Sequence, residues 1–143
     1  MRKRTSRQHL DPLAAFMLRM PLTEDQKTDL GIAYRIQLQA MLRGEGSEVA
    51  WSTLACSMNI ALMLCEQHIC GGAIETIKLS QDALLSCKAR SFRTQKWAFS
   101  GDEAKIIMRA CSIHDEQLEF ATKAQVTKAL QEVHRKIEAG ETA

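Results

Sequence analysis

The residues with the clearest chemical potential in this sequence are basic and aromatic, and they are concentrated in one short segment. Four cations share residues 88–97 with two aromatic side chains: Lys88, Arg90, Phe92, Arg93, Lys96 and Trp97. No acidic residue occurs between Asp82 and Asp102. Because cations neutralise phosphates and aromatic rings stack on bases, the segment predicts binding of nucleic acid or another polyanion. The alternative is a solvated helix end, where cations complement the helix dipole and Trp97 covers the core.

The N-terminus carries a second set of positive charges. Residues 1–10 contain Arg2, Lys3, Arg4 and Arg7 and no acid. We expect a flexible basic arm here, from which Arg2 and Arg4 add contacts to a polyanion. The formal net charge of the whole chain is only +2, so the total charge does not by itself indicate nucleic acid.

Two Cys-x-x-His units form a candidate metal site. Cys65 precedes His68 and Cys111 precedes His114, each at a spacing that places both side chains on one face of a helix. Two such units could supply a tetrahedral Cys2His2 set for zinc. Zinc fingers pair their ligands as Cys-Cys and His-His instead, so the favoured interpretation is buried thiols, with the histidines at helix ends or on the surface and no cofactor.

The patterns typical of catalysis are weak. Asp115, Glu116 and Glu119 form a run of carboxylates, but nothing in the spacing pairs them with a base or nucleophile. Such a run is typical of a solvated helix face. We therefore predict a protein that is not an enzyme.

The cysteines indicate the compartment. There are five, an odd number, and no apolar stretch of signal-peptide length follows the basic N-terminus. This favours reduced thiols in the cytoplasm rather than a disulfide framework. The most apolar segment, residues 49–65, is interrupted by polar residues and is shorter than a typical bilayer span, which predicts a helix buried in the core and no contact with a membrane.

Apolar periodicity and capping patterns predict an all-α fold, a bundle of four to six helices in one domain over residues 11–143. Helices are expected at about 12–20, between the capping box at Thr23 and a closing loop at residues 43–46, at about 48–69 and at about 73–94, followed by a connector at 95–101. Residues 102–139 also have helical periodicity. They form either one long C-terminal helix or two helices separated near 121–123, where Thr122 begins a third capping box after those at Thr23 and Ser100.

The C-terminal region has an apolar stripe that could bind a partner. Its members share one helical face: Ile107, Cys111, Leu118, Val126, Leu130, Val133 and Ile137. A single helix this long would exceed the diameter of the domain, which would leave part of the stripe uncovered. That predicts docking on another protein or a homodimer, unless the shorter helices cover the stripe.

Four segments carry a family resemblance: Asp11-Pro12, residues 22–26, residues 51–66 and residues 114–133. Together they resemble a loose group of small helical proteobacterial proteins of mobile elements, some of which are labelled as relatives of the factor-for-inversion-stimulation regulators. Residues 102–139 lack the glycine-bearing turn that the helix-turn-helix of those regulators would require. The resemblance implies an accessory role in a mobile element and transfers no site residues.

These observations rank three functions for a binding protein without catalytic activity. The first is a nucleic-acid-associated accessory or regulatory protein acting through residues 88–97 and the arm. The second is a protein-interaction module, an inhibitor or adaptor that docks through the C-terminal helix. The third is a metal-binding protein that uses the two Cys-x-x-His units.

Overall fold

The structure is a computed structural model and describes residues 20–140. The basic arm with Arg2 and Arg4, and the expected helix at 12–20, lie outside these residues. The described chain contains five α-helices and no β-strand, which confirms the predicted all-α bundle. The helices are α1 (Glu24–Leu42), α2 (Glu48–Glu66), α3 (Ile74–Thr94), α4 (Gly101–Phe120) and α5 (Lys123–Glu138).

Polar caps set the start of most of these helices. Thr23, Ser100 and Thr122 each accept a hydrogen bond from the backbone three residues on, and the side chain of that later residue bonds back to the cap. Ser47 caps α2 through a bond from Ala50 N. These local bonds satisfy amide groups that have no partner within a helix, so each of these helices begins where the sequence predicts.

The predicted long C-terminal helix is broken at residues 121 and 122. Ala121 has extended backbone angles and is fully buried, and Thr122 caps α5. The break is held from outside by a β-bridge between Pro21 and Thr122 and by a bond from Lys123 N to Met20 O of 3.0 Å. One continuous helix over residues 102–139 was therefore the wrong alternative.

Helix α2 occupies the centre of the bundle and contacts each of the other four helices. It ends at Glu66, three residues before the expected boundary, and the chain then passes through His68 and Cys70 with positive φ into a 3-10 turn, Gly71–Ala73. By length and apolar composition α2 could also cross a membrane, but the central helix of a packed bundle meets the same criterion.

The apolar stripe of the C-terminal region is largely covered within the monomer. Of its seven members, Ile107, Cys111, Leu118, Val126 and Val133 are buried. Leu130 packs partly against the core, while Ile137 is 54% exposed. Helix α5 folds back against α2 after the break. The apolar stripe was the predicted docking surface, and most of it therefore lies inside the monomer.

Candidate functional site

The basic segment lies at the C-terminal end of α3 and in the connector that leads to α4. The structure brings its six predicted site residues into one region but divides them by role. Lys88, Arg90 and Trp97 are partly buried and make contacts within the protein, whereas Phe92, Arg93 and Lys96 are exposed to solvent.

Arg90 joins the end of α3 to the start of α4. Its guanidinium donates to both carboxylate oxygens of Glu103, one at 3.1 Å, and to Ala98 O at 2.8 Å. The hydrogen bond with Arg90 holds the pKa of Glu103 below its ordinary value, and Glu103 in turn raises the pKa of Arg90. A charge neutralised in this way is a poor ligand for phosphate, so Arg90 has a structural role.

Glu103 was not among the predicted site residues. Its spacing from Ser100 indicated only a role in the capping box, and it does accept a hydrogen bond from Ser100 N at 2.9 Å. Its second partner, Arg90, lies thirteen positions away and is brought in by the connector. Such a pair has no local sequence signal, because neither residue type nor spacing distinguishes it from two solvated charges.

Lys88 and Trp97 pack around a second tryptophan. The ammonium of Lys88 lies 5.0 Å from the ring centroid of Trp51, and the Trp51 and Trp97 centroids are 5.7 Å apart. A cation over an aromatic face keeps its charge and gains about 0.5–1 kcal/mol when partly exposed. Trp97 therefore packs against the core and is partly buried, as the alternative interpretation of the segment expected.

The basic tip, defined as Phe92, Arg93 and Lys96, faces solvent. Gln95 adopts a left-handed conformation with φ of 60°, which ends α3 and places Lys96 beyond its last turn. Phe92 is 71% exposed, the largest value among the exposed large hydrophobic residues of the described chain. Neither Arg93 nor Lys96 forms an ion pair with any residue between 20 and 140. Within that range, the tip thus has an exposed aromatic ring and two cations without an ion pair.

The two Cys-x-x-His units do not form one ligand set. Cys65, Cys111 and His114 are buried, while His68 is exposed in the turn after α2. Over the described residues, no group of three or more His, Cys, Asp or Glu side chains is placed to hold a metal ion. Burial also raises the pKa of Cys111 to about 12 and raises that of Cys65, so both thiols stay protonated near neutral pH.

A buried amide, Gln117, contacts two of the four candidate ligands, Cys65 and His114. Its Nε2 donates to Ala61 O at 2.9 Å and Ile69 O at 3.1 Å, and it lies 3.2 Å from the sulfur of Cys65. Its Oε1 lies 3.0 Å from Nδ1 of His114. The cluster links α4 to the end of α2 and satisfies buried polar groups, so its role is structural.

The carboxylates on α4 also have partners. Glu119 accepts a hydrogen bond from Lys27 at 2.8 Å, and Asp115 pairs with Arg35, so both connect α4 to α1. Glu116 is exposed. The three carboxylates were predicted to form a solvated face. Two of them, Asp115 and Glu119, instead pair with cations of α1 and help to pack α4 against it.

An apolar groove lies between α2, α3 and the end of α5, with a volume of about 350 Å³. Its floor includes Trp51, Met63 and Val133, and a 3.0 Å hydrogen bond joins Gln81 to Asn59 across it. Asp82 and Lys136 add charge to its lining. Among the described residues this lining contains no histidine, cysteine or serine.

Comparison of the chain with protein-family models, with curated proteins and with solved structures found no match. The resemblance to mobile-element proteins stays a prediction. The geometry of the described residues is therefore the basis on which a function can be proposed.

Proposed function

We propose that the protein binds nucleic acid, single strands in particular, through the basic tip and without catalysis. The observation that carries the proposal is the exposed ring of Phe92 beside two cations that form no ion pair in the described chain. An open aromatic face stacks on an unpaired base, and the cations neutralise the phosphates beside it. Duplex DNA keeps its bases stacked inside, so the ring favours single strands.

The site is smaller than the basic segment of the sequence. With Arg90 paired and Trp97 packed, two cations and one ring of the described segment remain open, and Lys88 adds charge from above Trp51. So few contacts support sequence-independent binding in the range of about 10–100 µM at physiological salt. An accessory or regulatory role in a mobile element agrees with such binding, but it rests on the resemblance alone.

Binding can be measured by fluorescence anisotropy at low salt with labelled single-stranded DNA, duplex DNA and heparin. Phe92→Ala should weaken binding to single strands by about 1–3 kcal/mol, since one stacking contact is lost. The same variant should leave binding to heparin unchanged, because heparin has no bases. Leu79→Ala is the matched control, as Leu79 is another exposed apolar residue on α3.

Charge variants should act on both polyanions. Arg93→Gln and Lys96→Gln together should weaken binding to single-stranded DNA and to heparin alike. Lys128→Gln, on the exposed side of α5, should leave both affinities unchanged. Arg90 is unsuitable for this test because its loss would leave Glu103 without its partner. The proposal fails if the protein binds no strand at low salt, or if the basic-tip variants bind as well as the original chain.

A further inference from the structure

Helix α1 has apolar side chains on two opposite faces. Tyr34, Leu38 and Met41 point inward and are buried. Ile32 and Ile36, one turn apart on the outer face, are 48% and 59% exposed. The inner face is fully explained by the bundle, but nothing within the described residues covers the outer isoleucines. Two neighbouring β-branched residues at the centre of a solvent face suggest an interface.

Six exposed residues form one stripe on the outer face of α1, spaced alternately by four and three positions. We name them the α1 seam: Asp25, Asp29, Ile32, Ile36, Gln39 and Arg43. This alternation keeps one stripe facing a partner helix along its whole length. Helix α1 has 19 residues, so the seam extends over about 28 Å.

The order of residues in the α1 seam is complementary to itself when reversed. If a second copy runs antiparallel about a two-fold axis at the level of residue 34, each isoleucine meets the other: Ile32 lies opposite Ile36 of the second copy. In the same register Asp25 lies opposite Arg43, and Asp29 lies opposite the amide of Gln39. A parallel pairing would instead place Asp25 against Asp25 and Arg43 against Arg43, which repel.

The surface around the α1 seam suits this pairing. A shallow depression of about 380 Å³ lies beside Ile36 and is bordered by Gln39, Ala40 and Arg43. It offers space for the Ile32 side chain of a second copy, as a knob enters a hole. Asp25 and Arg43 form no ion pair with any residue in the described range, so both charges are free to meet a partner.

We propose that the α1 seam is the interface of a homodimer, in which two α1 helices pack antiparallel about a two-fold axis. A two-fold axis makes each contact occur twice, so two isoleucine contacts and two Asp25–Arg43 pairs form together. The interface lies on α1 and involves none of the basic-tip residues. Dimerisation and nucleic-acid binding can therefore succeed or fail independently.

Sedimentation velocity over a concentration series up to about 100 µM tests the proposal. The original chain should pass from monomer to dimer, and Ile36→Glu should remain a monomer throughout. Leu79→Glu is the matched control: it places the same charge on an exposed apolar residue of α3 and should still dimerise. Circular dichroism and thermal melting establish that each variant is folded.

A charge-swap series tests the register. Asp25→Lys alone and Arg43→Glu alone should each weaken the dimer about tenfold at low salt, because each turns two attractive pairs into two repulsive ones. The double variant should recover most of the loss, and this recovery occurs only in an antiparallel pairing. A monomer at every concentration, a dimer unaffected by Ile36→Glu, or a double variant weaker than both single ones would each overturn the proposal. A monomeric chain that binds a different protein through α1 would overturn it too.

Discussion

Replacement of Gln117 by leucine should be among the most destabilising single changes in this protein. The side chain is fully buried, and leucine fills much of its space without any polar atom, so the main loss is of hydrogen bonds. Ile69 O loses a donor and Nδ1 of His114 loses its partner, while Ala61 O keeps its place within α2. Each buried polar group without a partner costs about 1–3 kcal/mol, and this variant leaves two of them. Its free energy of unfolding should therefore fall by about 2–4 kcal/mol.

Urea unfolding followed by circular dichroism measures this loss, and the melting temperature should fall by about 6–12 °C for a domain of this size. Gln81→Leu is the control, because Gln81 makes one side-chain bond, to Asn59, in a half-buried position and should cost less than about 1 kcal/mol. Adding His114→Leu to Gln117→Leu should recover part of the loss, since both partners are then apolar. Equal costs for Gln117→Leu and Gln81→Leu would refute the structural role of the cluster.

Three further perturbations test other parts of the fold. Burial lowers the pKa of His114 below its ordinary value of 6.5, so the unfolded chain binds a proton at a higher pH than the folded chain does. The free energy of unfolding should therefore fall as the pH drops below about 6.5. Urea titrations at a series of pH values measure this fall, and His114→Gln should remove the part that His114 causes. Gly46→Ala would drive a Cβ into the carbonyl oxygen of Trp97, so the connector must move, at a cost of about 2 kcal/mol and with a change in tryptophan fluorescence. Thr122→Ala removes the cap of α5 and should lower the unfolding free energy by about 1 kcal/mol, measured in urea, whereas an unchanged value would mean that the cap contributes nothing.

The parts of the fold that the sequence predicted are governed by contacts between near neighbours. Each capping box joins residues three positions apart, so Thr23, Ser100 and Thr122 indicate helix starts from residue type and spacing alone. The choice between one and two C-terminal helices could not be made from local spacing, because it depends on a contact with a distant part of the chain. The backbone of residues 20–21 holds the break after α4, and that contact spans about a hundred residues.

The sequence indicated a basic region as a whole, but not which of its charges are free. The composition of residues 88–97 indicated a basic region, and the structure places these residues together at one end of α3. Which cations are free depends on packing: Glu103 neutralises Arg90 because the connector folds back, and Trp97 is covered because Trp51 lies beneath it. Residue type and local spacing carry no signal for such partners.

The α1 seam was missed for a different reason. The helical period of Leu30, Tyr34, Leu38 and Met41 predicts one apolar face, and the last three are buried while Leu30 is 37% exposed. Ile32 and Ile36 add apolar residues on the opposite side, which reduces the amphipathic contrast of α1. Only the burial of each face distinguishes an inner from an outer apolar stripe.

The salt dependence of binding to single-stranded DNA tests the proposed function most directly. The logarithm of the binding constant should fall linearly with the logarithm of salt concentration, with a slope set by the number of phosphates neutralised. If Arg93 and Lys96 each contact one phosphate, replacing both with glutamine should reduce that slope by about 1.4, and Lys128→Gln should leave it unchanged. Equal slopes for the original chain and the double variant would contradict the assignment of the basic tip as the binding site.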